Sequence, residues 1–540
     1  MAALGVRLQA GVHRLTAGRA APSRANPRIL VAYCAASIRR ATQGATVLKV
    51  AEVGNKVAKA QYKEAVPQLR LELVDAQYEL READFPVIVW IAGDDQVAAN
   101  EMVNRLNEWM DSRFIHTRVF AEYSDEEAER PALWRLWRSL PQNGRMSIFA
   151  GGLMRAATMR ASGEISDPEF STWLNHVAGM QNELVADGAL VLKFFLHTPV
   201  KKQRKRLEKA EKDPADGWWV DQRDWAALDH MGPTLPIVER MLRETSAPGA
   251  PWTIVEASDD RYRDLTVGNT ILAAVKSRLE GGASRGPSLA ESVFSDVDGN
   301  ANVLSGVDLT KQLDKQTYRA ELAKWQGKLH KLSLEARDRG VSSVLAFEGW
   351  DAGGKGGAIR RVTQALEAGD YRVIPVAAPT PEERLHHYLW RFWRDLPRAG
   401  RWAIFDRTWY GRVLVERIEG FANAAEWQRA YDEINDFEQQ LTERGFYVAK
   451  FWLHISPEEQ LARFQAREQT PYKQYKITDE DYRNRDKWDD YVVAVDQMVL
   501  RTSTSNARWH VIPANDKYYA RIAVLKAVVK GLRRTLREHG

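Results

Sequence analysis

The sequence predicts an α/β protein made of two tandem copies of one domain, each built around a mainly parallel sheet. Three observations support this prediction. An internal repeat divides the 540 residues into two similar halves, short apolar runs alternate with helical patterns, and a glycine-rich loop follows the first strand of the second half. Strands that alternate with helices are typical of parallel sheets with helical crossovers.

The repeat is clearest in two tryptophan-rich segments that lie 256 residues apart. WRLWRSLPQNGRMSIF at Trp134–Phe149 aligns with WRFWRDLPRAGRWAIF at Trp390–Phe405. After one inserted residue the spacing becomes 257 and pairs Lys193–His197 with Lys450–His454. A period of this length indicates tandem domains rather than a solenoid.

Composition suggests where these domains begin and end. Glycine, serine and proline cluster after residue 280, so we predict a linker over 281–302, between a first domain at 46–280 and a second at 303–540. Residues 1–45 contain seven arginines and no acidic residue. This is typical of a mitochondrial transit peptide or of translation from too early a start codon, and we favour the second interpretation. We expect the tail to be disordered.

The formal net charge of +5 comes from that tail. Outside it, 70 basic residues face 72 acidic ones, so we expect no nucleic-acid partner. No apolar run is long enough to cross a bilayer, so we also expect no membrane partner. The single cysteine, Cys34, excludes an internal disulfide and a cysteine-based metal site, and we expect a cytoplasmic protein.

The second half contains five apolar runs that predict buried strands. They lie at 342–347, 371–376, 402–405, 448–453 and 509–513. A helical segment precedes each half, at 57–80 and 309–336. The five strands alternate with helical patterns, which is the order of a βαβ domain.

A glycine-rich loop, EGWDAGGKGG at Glu348–Gly357, lies between the first of these strands and a helical stretch. Gly349, Gly354 and Lys355 fit the phosphate-loop pattern G-x-x-x-x-G-K. The glycines allow backbone N–H groups to converge on one phosphate, and the helix N-terminus and the lysine add positive charge. We therefore predict P-loop-type domains whose phosphate-binding residues are Gly349, Gly353, Gly354, Lys355, Gly356 and Arg412.

The loop departs from the usual pattern at Gly356, where Ser or Thr would bind Mg²⁺. We expect Asp351 and Asp406 to replace that ligand, because Asp406 ends an apolar run as a Walker-B acid does. Two carboxylates with phosphate oxygens and water suit the octahedral coordination of Mg²⁺, with Mn²⁺ as an alternative. His454 has no second histidine at ligand spacing, and we interpret it as structural.

Cationic side chains follow the Walker-B acid. Arg407 and Arg412 are candidate phosphate clamps. Our predicted catalytic residues are Asp351, Lys355, Asp406 and Arg407. A cationic segment between the fourth and fifth strands predicts a helical lid that closes on the donor phosphates. Its cations are Arg463, Arg467, Lys473, Lys476, Arg483, Arg485 and Lys487. The nearby Trp350, Trp409 and Tyr410 suit either stacking on a base or core packing.

The first half has lost these groups. In the first half, Ala99 stands at the position of Lys355, and Ala150 and Gly151 stand at the positions of Asp406 and Arg407. Only Asp351 has a matching residue, Asp95. Glu101 would place a negative charge at the anion site. We expect no phosphoryl transfer there; the first domain braces the second, mediates oligomerisation, or holds a long substrate on its basic run Lys201–Arg206.

With these residues the chain resembles the type-2 polyphosphate kinases. The resemblance is carried by Glu348–Gly357, by FDRTWYGR at Phe405–Arg412 and by YRNRDKW at Tyr482–Trp488, and it covers residues 45–535. The two copies resemble the fused class, the polyphosphate:AMP phosphotransferases. The resemblance implies a three-layer αβα sandwich with a lid and Mg²⁺-dependent transfer of the terminal phosphate of inorganic polyphosphate to AMP, giving ADP, in the second domain.

The resemblance also implies residue roles. Lys355 binds phosphate, Asp351 and Asp406 serve the metal or the acceptor phosphate, and Arg407 and Arg412 contact phosphates, while Arg467 and Lys487 of the lid contact polyphosphate. Three alternatives stay open: ADP or GMP as the acceptor, an ATP-dependent nucleoside monophosphate kinase, and a non-catalytic phosphate-binding scaffold. We expect a homo-oligomer.

Overall fold

The computed structural model describes residues 47–212, 222–281, 303–469 and 479–538. Most of the tail and the linker, together with Lys473 and Lys476 of the lid segment, lie outside these ranges. Among the described residues, no helix has both the length and the apolar character that a membrane span requires.

The first repeat contains five strands and ten helices among its described residues. The strands are β1 Val87–Gly93, β2 Ile115–Phe120, β3 Met146–Gly151, β4 Leu190–His197 and β5 Trp252–Glu256. The helices are α1 Val47–Val50, α2 Lys59–Leu80, α3 Gln96–Trp109, α4 Asp125–Ala128, α5 Trp134–Arg138, α6 Leu153–Ser162, α7 Asp167–Ala186, α8 Val200–Glu211, α9 Gln222–Glu244 and α10 Asp260–Glu280.

The second repeat has the same order of elements. Its strands are β6 Ser343–Gly349, β7 Tyr371–Pro375, β8 Trp402–Asp406, β9 Tyr447–His454 and β10 Trp509–Pro513. Its helices are α11 Lys315–Asp338, α12 Lys355–Thr363, α13 Pro381–Arg384, α14 Trp390–Arg394, α15 Val415–Ile418, α16 Ala424–Glu443, α17 Pro457–Glu468, α18 Asp479–Asp486, α19 Trp488–Thr502 and α20 Lys517–Glu538, with a 3₁₀ turn at Trp409–Val413. The five strands predicted from the apolar runs are confirmed.

Each repeat forms one fully parallel five-stranded sheet, in the orders β2-β3-β1-β4-β5 and β7-β8-β6-β9-β10. The central strands β1 and β6 are buried along nearly their whole length because helices cover both faces, whereas the edge strands β2 and β7 are partly exposed. The strand order changes side at the central strand β6: β7 and β8 lie on one side of it, and β9 and β10 lie on the other. Crevices at the carboxyl ends of parallel strands form at this point, and the glycine-rich loop begins there.

The two repeats share a core. The tryptophan-rich helices α5 and α14 pack against each other, and one apolar cluster contains residues of both repeats. Trp134 Nε1 donates to the carbonyl of Trp393 at 2.8 Å, and Arg398 donates two hydrogen bonds to Glu129 at 2.7 and 2.8 Å. The first repeat therefore supports the second through both apolar and polar contacts.

Candidate active site

The loop after β6 requires glycine at two positions. Gly349 has φ +145°, and a Cβ there would lie 2.7 Å from the carbonyl oxygen of Leu453. Gly354 has φ +108° and immediately precedes α12, which begins at Lys355. Such positive φ angles favour glycine because a side chain would be strained. The loop thereby directs the free N–H groups of the first helical turn into one concavity.

Lys355 lies within this loop. Its Nζ donates to the carbonyl oxygens of Gly349 at 2.6 Å and Trp350 at 3.3 Å. The ammonium group therefore occupies the centre of the loop, where it lowers the pKa of neighbouring carboxyl groups. Gly353 and Gly356 belong to the same loop and first turn, and a Cβ at Gly356 would meet open space.

Asp351 is the acidic group of the loop. It accepts hydrogen bonds from Arg407 at 3.0 Å and, across the lid segment, from Asn484 at 3.0 Å. Burial alone would raise the pKa of Asp351, but the positive charges of Lys355 and Arg407 and the Asn484 amide hold it below its usual value. Asp351 is therefore ionised throughout the neutral range.

Asp406 and Arg407 follow at the carboxyl end of β8. Asp406 pairs in register with Phe347 of β6, which places it at the same sheet edge as the loop. Arg407 adopts φ +64°, a left-handed conformation that is uncommon for arginine. Ala352 in the loop has φ +60°. Non-glycine residues in such conformations are concentrated at functional sites, where surrounding contacts maintain the strain.

Sequence reasoning missed one buried contact between these two segments. Thr408 Oγ1 donates to Glu348 Oε1 at 2.8 Å, and both residues are buried. Burial raises the pKa of Glu348, although Lys355 and the hydrogen bond from Thr408 oppose the rise. The sequence signal that could have indicated this contact was Glu348, an acidic residue at the end of a buried strand.

A cavity of about 180 Å³ opens on one side of the loop. Its lining has a charged or polar part, which includes Asp351, Arg407 and Asn484, and an apolar part, which includes Leu414 and Phe421. Phe421 is 74% exposed, which is unusual for a phenylalanine. The cavity thus combines charged groups, suited to phosphate, with apolar groups that include an exposed aromatic ring.

A second cavity, of about 340 Å³, is lined by other residues of the same loop. It is lined by Gly353, Gly354, Gly357 and the cations Arg463, Arg467, Lys517 and Arg521. Lys517 and Arg521 are spaced i, i+4 on α20, just after the fifth strand, and sequence reasoning missed both. Within the described ranges, Arg467 and Arg521 form no ion pair, so their charges are available to an anion.

The structure does not bring all the predicted cations to these cavities. Arg412 pairs with Glu416 at 3.2 Å and lies over the ring of Tyr388. The guanidinium of Arg463 donates to the carbonyl oxygens of Ala352 and Gly353, among others, and so braces the loop backbone. Tertiary packing thus commits these two arginines to neighbouring protein groups, although Arg463 also lines the second cavity.

The remaining lid cations have different surroundings. Lys487 pairs with Glu419 at 2.8 Å, Arg485 donates to the carbonyl oxygen of Pro457 at 2.7 Å, and Arg483 is exposed. Lys473 lies outside the described residues. Besides Arg463, the lid segment contacts the loop through Asn484, a neutral residue that charge counting overlooks.

The aromatic residues near the motifs belong to the core. Trp409 and Tyr410 are fully buried, and Trp350 stacks on Trp488 with ring centroids 3.6 Å apart. His454 accepts a hydrogen bond from Trp350 Nε1 at 3.0 Å, and burial lowers its pKa to about 4. Of the two interpretations left open by the sequence, core packing applies to Trp409 and Tyr410. Trp350 lines the first cavity together with Trp452, Tyr491 and Phe421, of which Phe421 is exposed.

The donor set near the loop suits a hard divalent cation. The available ligands are carboxylate oxygens of Asp351 and Asp406, which Mg²⁺ prefers over nitrogen or sulfur. The described residues contain no cluster of three or more His, Cys, Asp or Glu that would hold a metal by itself. Mg²⁺ usually keeps several waters and shares its coordination with substrate phosphates, so two carboxylates fit such a site.

In the first repeat the equivalent position is filled by the protein itself. Asp95 accepts a hydrogen bond from Ala98 N at 3.1 Å, which caps α3, and forms an ion pair with Arg206. Glu101 pairs with the buried Arg263 at 2.7 Å. Asp95 and Glu101 have thus become structural, and Arg206 of the basic run is already paired.

Comparison with known proteins agrees with this geometry. The family Polyphosphate kinase 2 (PPK2) matches residues 56–281 and again 312–539. A Pseudomonas aeruginosa protein named polyphosphate:AMP phosphotransferase is 48% identical over 88% of this chain and 97% of its own length. The protein of the same name from Pseudomonas syringae pv. tomato is 43% identical over 89% of this chain and 97% of its own length.

A solved structure has the same architecture. The crystal structure of a Pseudomonas aeruginosa protein assigned to polyphosphate kinase 2 superimposes with a TM-score of 0.82 at 44% identity, covering 91% of this chain and 99% of that one. The resemblance inferred from the loop and Walker-B motifs is therefore confirmed. The chain belongs to the polyphosphate kinase 2 family and contains two copies of its domain.

Proposed function

We propose that this chain is a phosphotransferase that moves the terminal phosphate of inorganic polyphosphate to AMP, giving ADP, in its second repeat. The observation that carries the proposal is the pair of cavities lined by different residues of one phosphate loop, one with cationic residues and one with an apolar part. Relatives matched over nearly their whole length are named polyphosphate:AMP phosphotransferase. An in-line transfer needs donor and acceptor on opposite sides of the transferred phosphoryl group.

The cationic cavity is the donor side. Polyphosphate is a polyanion without a base, so its site requires positive charge and no aromatic ring. Arg467 and Arg521 supply that charge, and Lys355 adds a positive charge within the loop that both cavities share. The nearly neutral composition outside the tail is compatible with this role because the charge is local.

The cavity with the apolar part is the acceptor side. We assign the AMP phosphate to its charged part near Arg407 and the adenine to its apolar part near Phe421. An α-phosphate oxygen of AMP attacks the terminal phosphorus of the chain, and the bond from that phosphorus to the bridging oxygen breaks. The shortened polyphosphate leaves with the electron pair, so that ADP forms and no strong base is required.

We propose Asp351 and Asp406 as the residues that hold Mg²⁺, with Mn²⁺ as a substitute. When bound, the ion would neutralise charge on the phosphates. Arg407 keeps Asp351 oriented, and Asn484 connects it to the lid. Phosphate contacts of Arg412 and Lys487 remain part of the proposal only if their pairs with Glu416 and Glu419 open on binding.

The deciding experiment incubates the full chain with Mg²⁺, polyphosphate and AMP and resolves the nucleotides by chromatography. Parallel reactions offer ADP or GMP as acceptor and ATP as donor. We expect ADP to appear only with polyphosphate and to be lost in Lys355→Ala, whereas Lys331→Ala, at an exposed residue of α11, keeps activity. ATP formed from ADP alone would move the protein to the other acceptor class, and no transfer from any donor would favour the scaffold alternative.

Four further expectations remain proposals. We expect a cytoplasmic homo-oligomer that does not bind nucleic acid or membranes, which size-exclusion chromatography with light scattering and fractionation would test.

A further inference from the structure

We propose that Glu438 is a positioning residue for phosphoryl transfer, because it fixes the segment that carries Asp406 and Arg407. Glu438 lies on α16, beneath the 3₁₀ turn Trp409–Val413 that follows those two residues, and does not line either cavity. The inference rests on the proposed function, because the rate it concerns is that of the transfer to AMP.

The contacts of Glu438 account for both of its carboxylate oxygens. Oε1 accepts hydrogen bonds from Trp409 Nε1 at 3.1 Å and from Tyr410 Oη at 2.7 Å. Oε2 accepts from Lys450 Nζ at 2.7 Å. All four residues are buried, with Glu438 1% and Lys450 0% exposed.

Lys450 completes the network. Its Nζ donates to Tyr410 Oη at 2.9 Å and to the carbonyl oxygen of Thr502 at 2.6 Å, in addition to Glu438. All three N–H donors therefore have acceptors. A buried ion pair is expensive to desolvate and often adds little net stability, but a fully bonded one holds its partners in one geometry.

The network holds a strained segment in place. Trp409 and Tyr410 come directly after Arg407 and Thr408, and Arg407 has φ +64°. A left-handed arginine persists only when neighbouring contacts maintain it. Thr408 is bound by Glu348, and the next two residues are bound by Glu438, so buried carboxylates hold the three residues that follow Arg407.

The first repeat supplies an internal comparison. At the equivalent positions, Gln181 replaces Glu438, whereas Lys193 and Thr245 keep the positions of Lys450 and Thr502. Lys193 Nζ donates to Gln181 Oε1 at 2.6 Å and to the carbonyl oxygen of Thr245 at 2.5 Å. The lysine contact with the threonine carbonyl is thus common to both repeats.

The first repeat lacks the two aromatic hydrogen-bond donors of the second. Leu153 and Met154 stand at the positions of Trp409 and Tyr410, and Gln181 Nε2 has no hydrogen-bond partner among the described residues. The repeat that lost Asp406 and Arg407 has also lost the carboxylate and both of its aromatic donors. The negative charge of Glu438 is therefore associated with the intact site and not with the fold.

The test is Glu438→Gln in the full chain, which gives the second repeat the amide of the first. The fold tolerates an amide next to this buried lysine, since Gln181 and Lys193 coexist in the same chain. We expect kcat to fall by about 10- to 100-fold, since a displacement near 1 Å is enough for such a loss, with the KM for AMP within about twofold and the Mg²⁺ dependence shifted. Gln181→Glu is the matched control, and it should leave kcat unchanged.

A double-substitution cycle separates positioning from general stability. Tyr410→Phe should lower kcat less than Glu438→Gln does, and the two together should be no worse than Glu438→Gln alone. Wild-type kcat in a folded Glu438→Gln variant, or additive effects in the cycle, would overturn the inference. Wild-type protein is assayed in parallel. If the proposed function were wrong, the wild type would not form ADP, so the two failures can be told apart.

Discussion

The indole ring of Trp137 stacks on that of Trp393, with ring centroids 5.7 Å apart and planes 10° from parallel. These two tryptophans stand at equivalent positions of the two repeats. Contact between equivalent residues is the mark of a two-fold relationship, in which one patch serves both sides of an interface. The repeats therefore meet as the subunits of a symmetric dimer do, although one of them has lost its phosphate site.

This interface predicts that a substitution in the first repeat weakens the catalytic one. Trp137→Ala removes a side chain that is 1% exposed, which typically costs about 3–5 kcal/mol. We expect lower temperatures of both unfolding and inactivation, measured by calorimetry and by residual ADP formation. Leu71→Ala, at an exposed residue of the same repeat, should change neither. An unchanged inactivation temperature in Trp137→Ala would show that the second repeat is stable without this support.

Asp351 and Asp95 form a matched pair for testing the loop. Asp351→Asn removes the charge that Arg407 contacts and that we assign to Mg²⁺, so we expect kcat to fall by about 100-fold or more, with a higher Mg²⁺ requirement. Asp95→Asn makes the same change where the carboxylate only caps α3 and pairs with Arg206, and kcat should be retained. Equal losses in both variants would assign Asp351 a purely structural role.

Arg521 tests the donor side. Arg521→Ala removes a cation from the second cavity, and a lost charge-assisted hydrogen bond of about 1.5–3 kcal/mol corresponds to at least a tenfold rise in the KM for polyphosphate. The KM for AMP should stay the same, because we assign AMP to the first cavity, whose lining does not include Arg521. Arg533→Ala, three turns further along α20 and exposed, is the control. A rise in the KM for AMP instead would reverse our assignment of the two cavities.

Phe421 tests the acceptor side. Phe421→Ala should raise the KM for AMP by about tenfold, since stacking on a base contributes roughly 1–3 kcal/mol. Phe421→Trp keeps an aromatic face and should preserve the affinity. Steady-state kinetics with AMP varied at saturating polyphosphate measures both. If the two variants behave alike, the ring has no role in binding the base.

The two buried lysines predict opposite effects on stability. Lys450→Met leaves Glu438 buried without its partner, and the free energy of unfolding should fall by roughly 3–5 kcal/mol. Lys193 faces a glutamine, and burial lowers its pKa to about 7 from 10.5. Lys193→Met should therefore raise the free energy of unfolding near pH 7, because it removes a cation whose burial is unfavourable.

The effect of Lys193 should also depend on pH. Between pH 7 and 10.5 the unfolded state binds the proton more strongly than the folded state, so the wild type gains stability as pH rises through this range. The advantage of Lys193→Met should be largest near pH 7 and small near pH 10. Urea unfolding midpoints at several pH values measure it, and a constant difference would show that Lys193 titrates normally in the folded protein.

The sequence by itself determined the duplication, the parallel order of strands, the phosphate loop and the loss of that loop's charges in the first repeat. These features are local, because spacing, hydrophobic period and glycine placement act within one segment of the chain. The position of Asp406 at the same sheet edge as the loop followed from its place at the end of an apolar run, since parallel strands end together.

Only the tertiary structure decided which side chains face the substrate cavities. Arg412 and Arg463 are equally cationic in the sequence, yet one pairs with Glu416 and the other braces the loop, whereas Arg521 reaches the second cavity from a remote helix. Trp409 and Tyr410 are likewise turned into the core, where Glu438 holds them. The direction of each side chain depends on contacts between elements far apart in the chain, and such contacts leave no local pattern in the residues themselves.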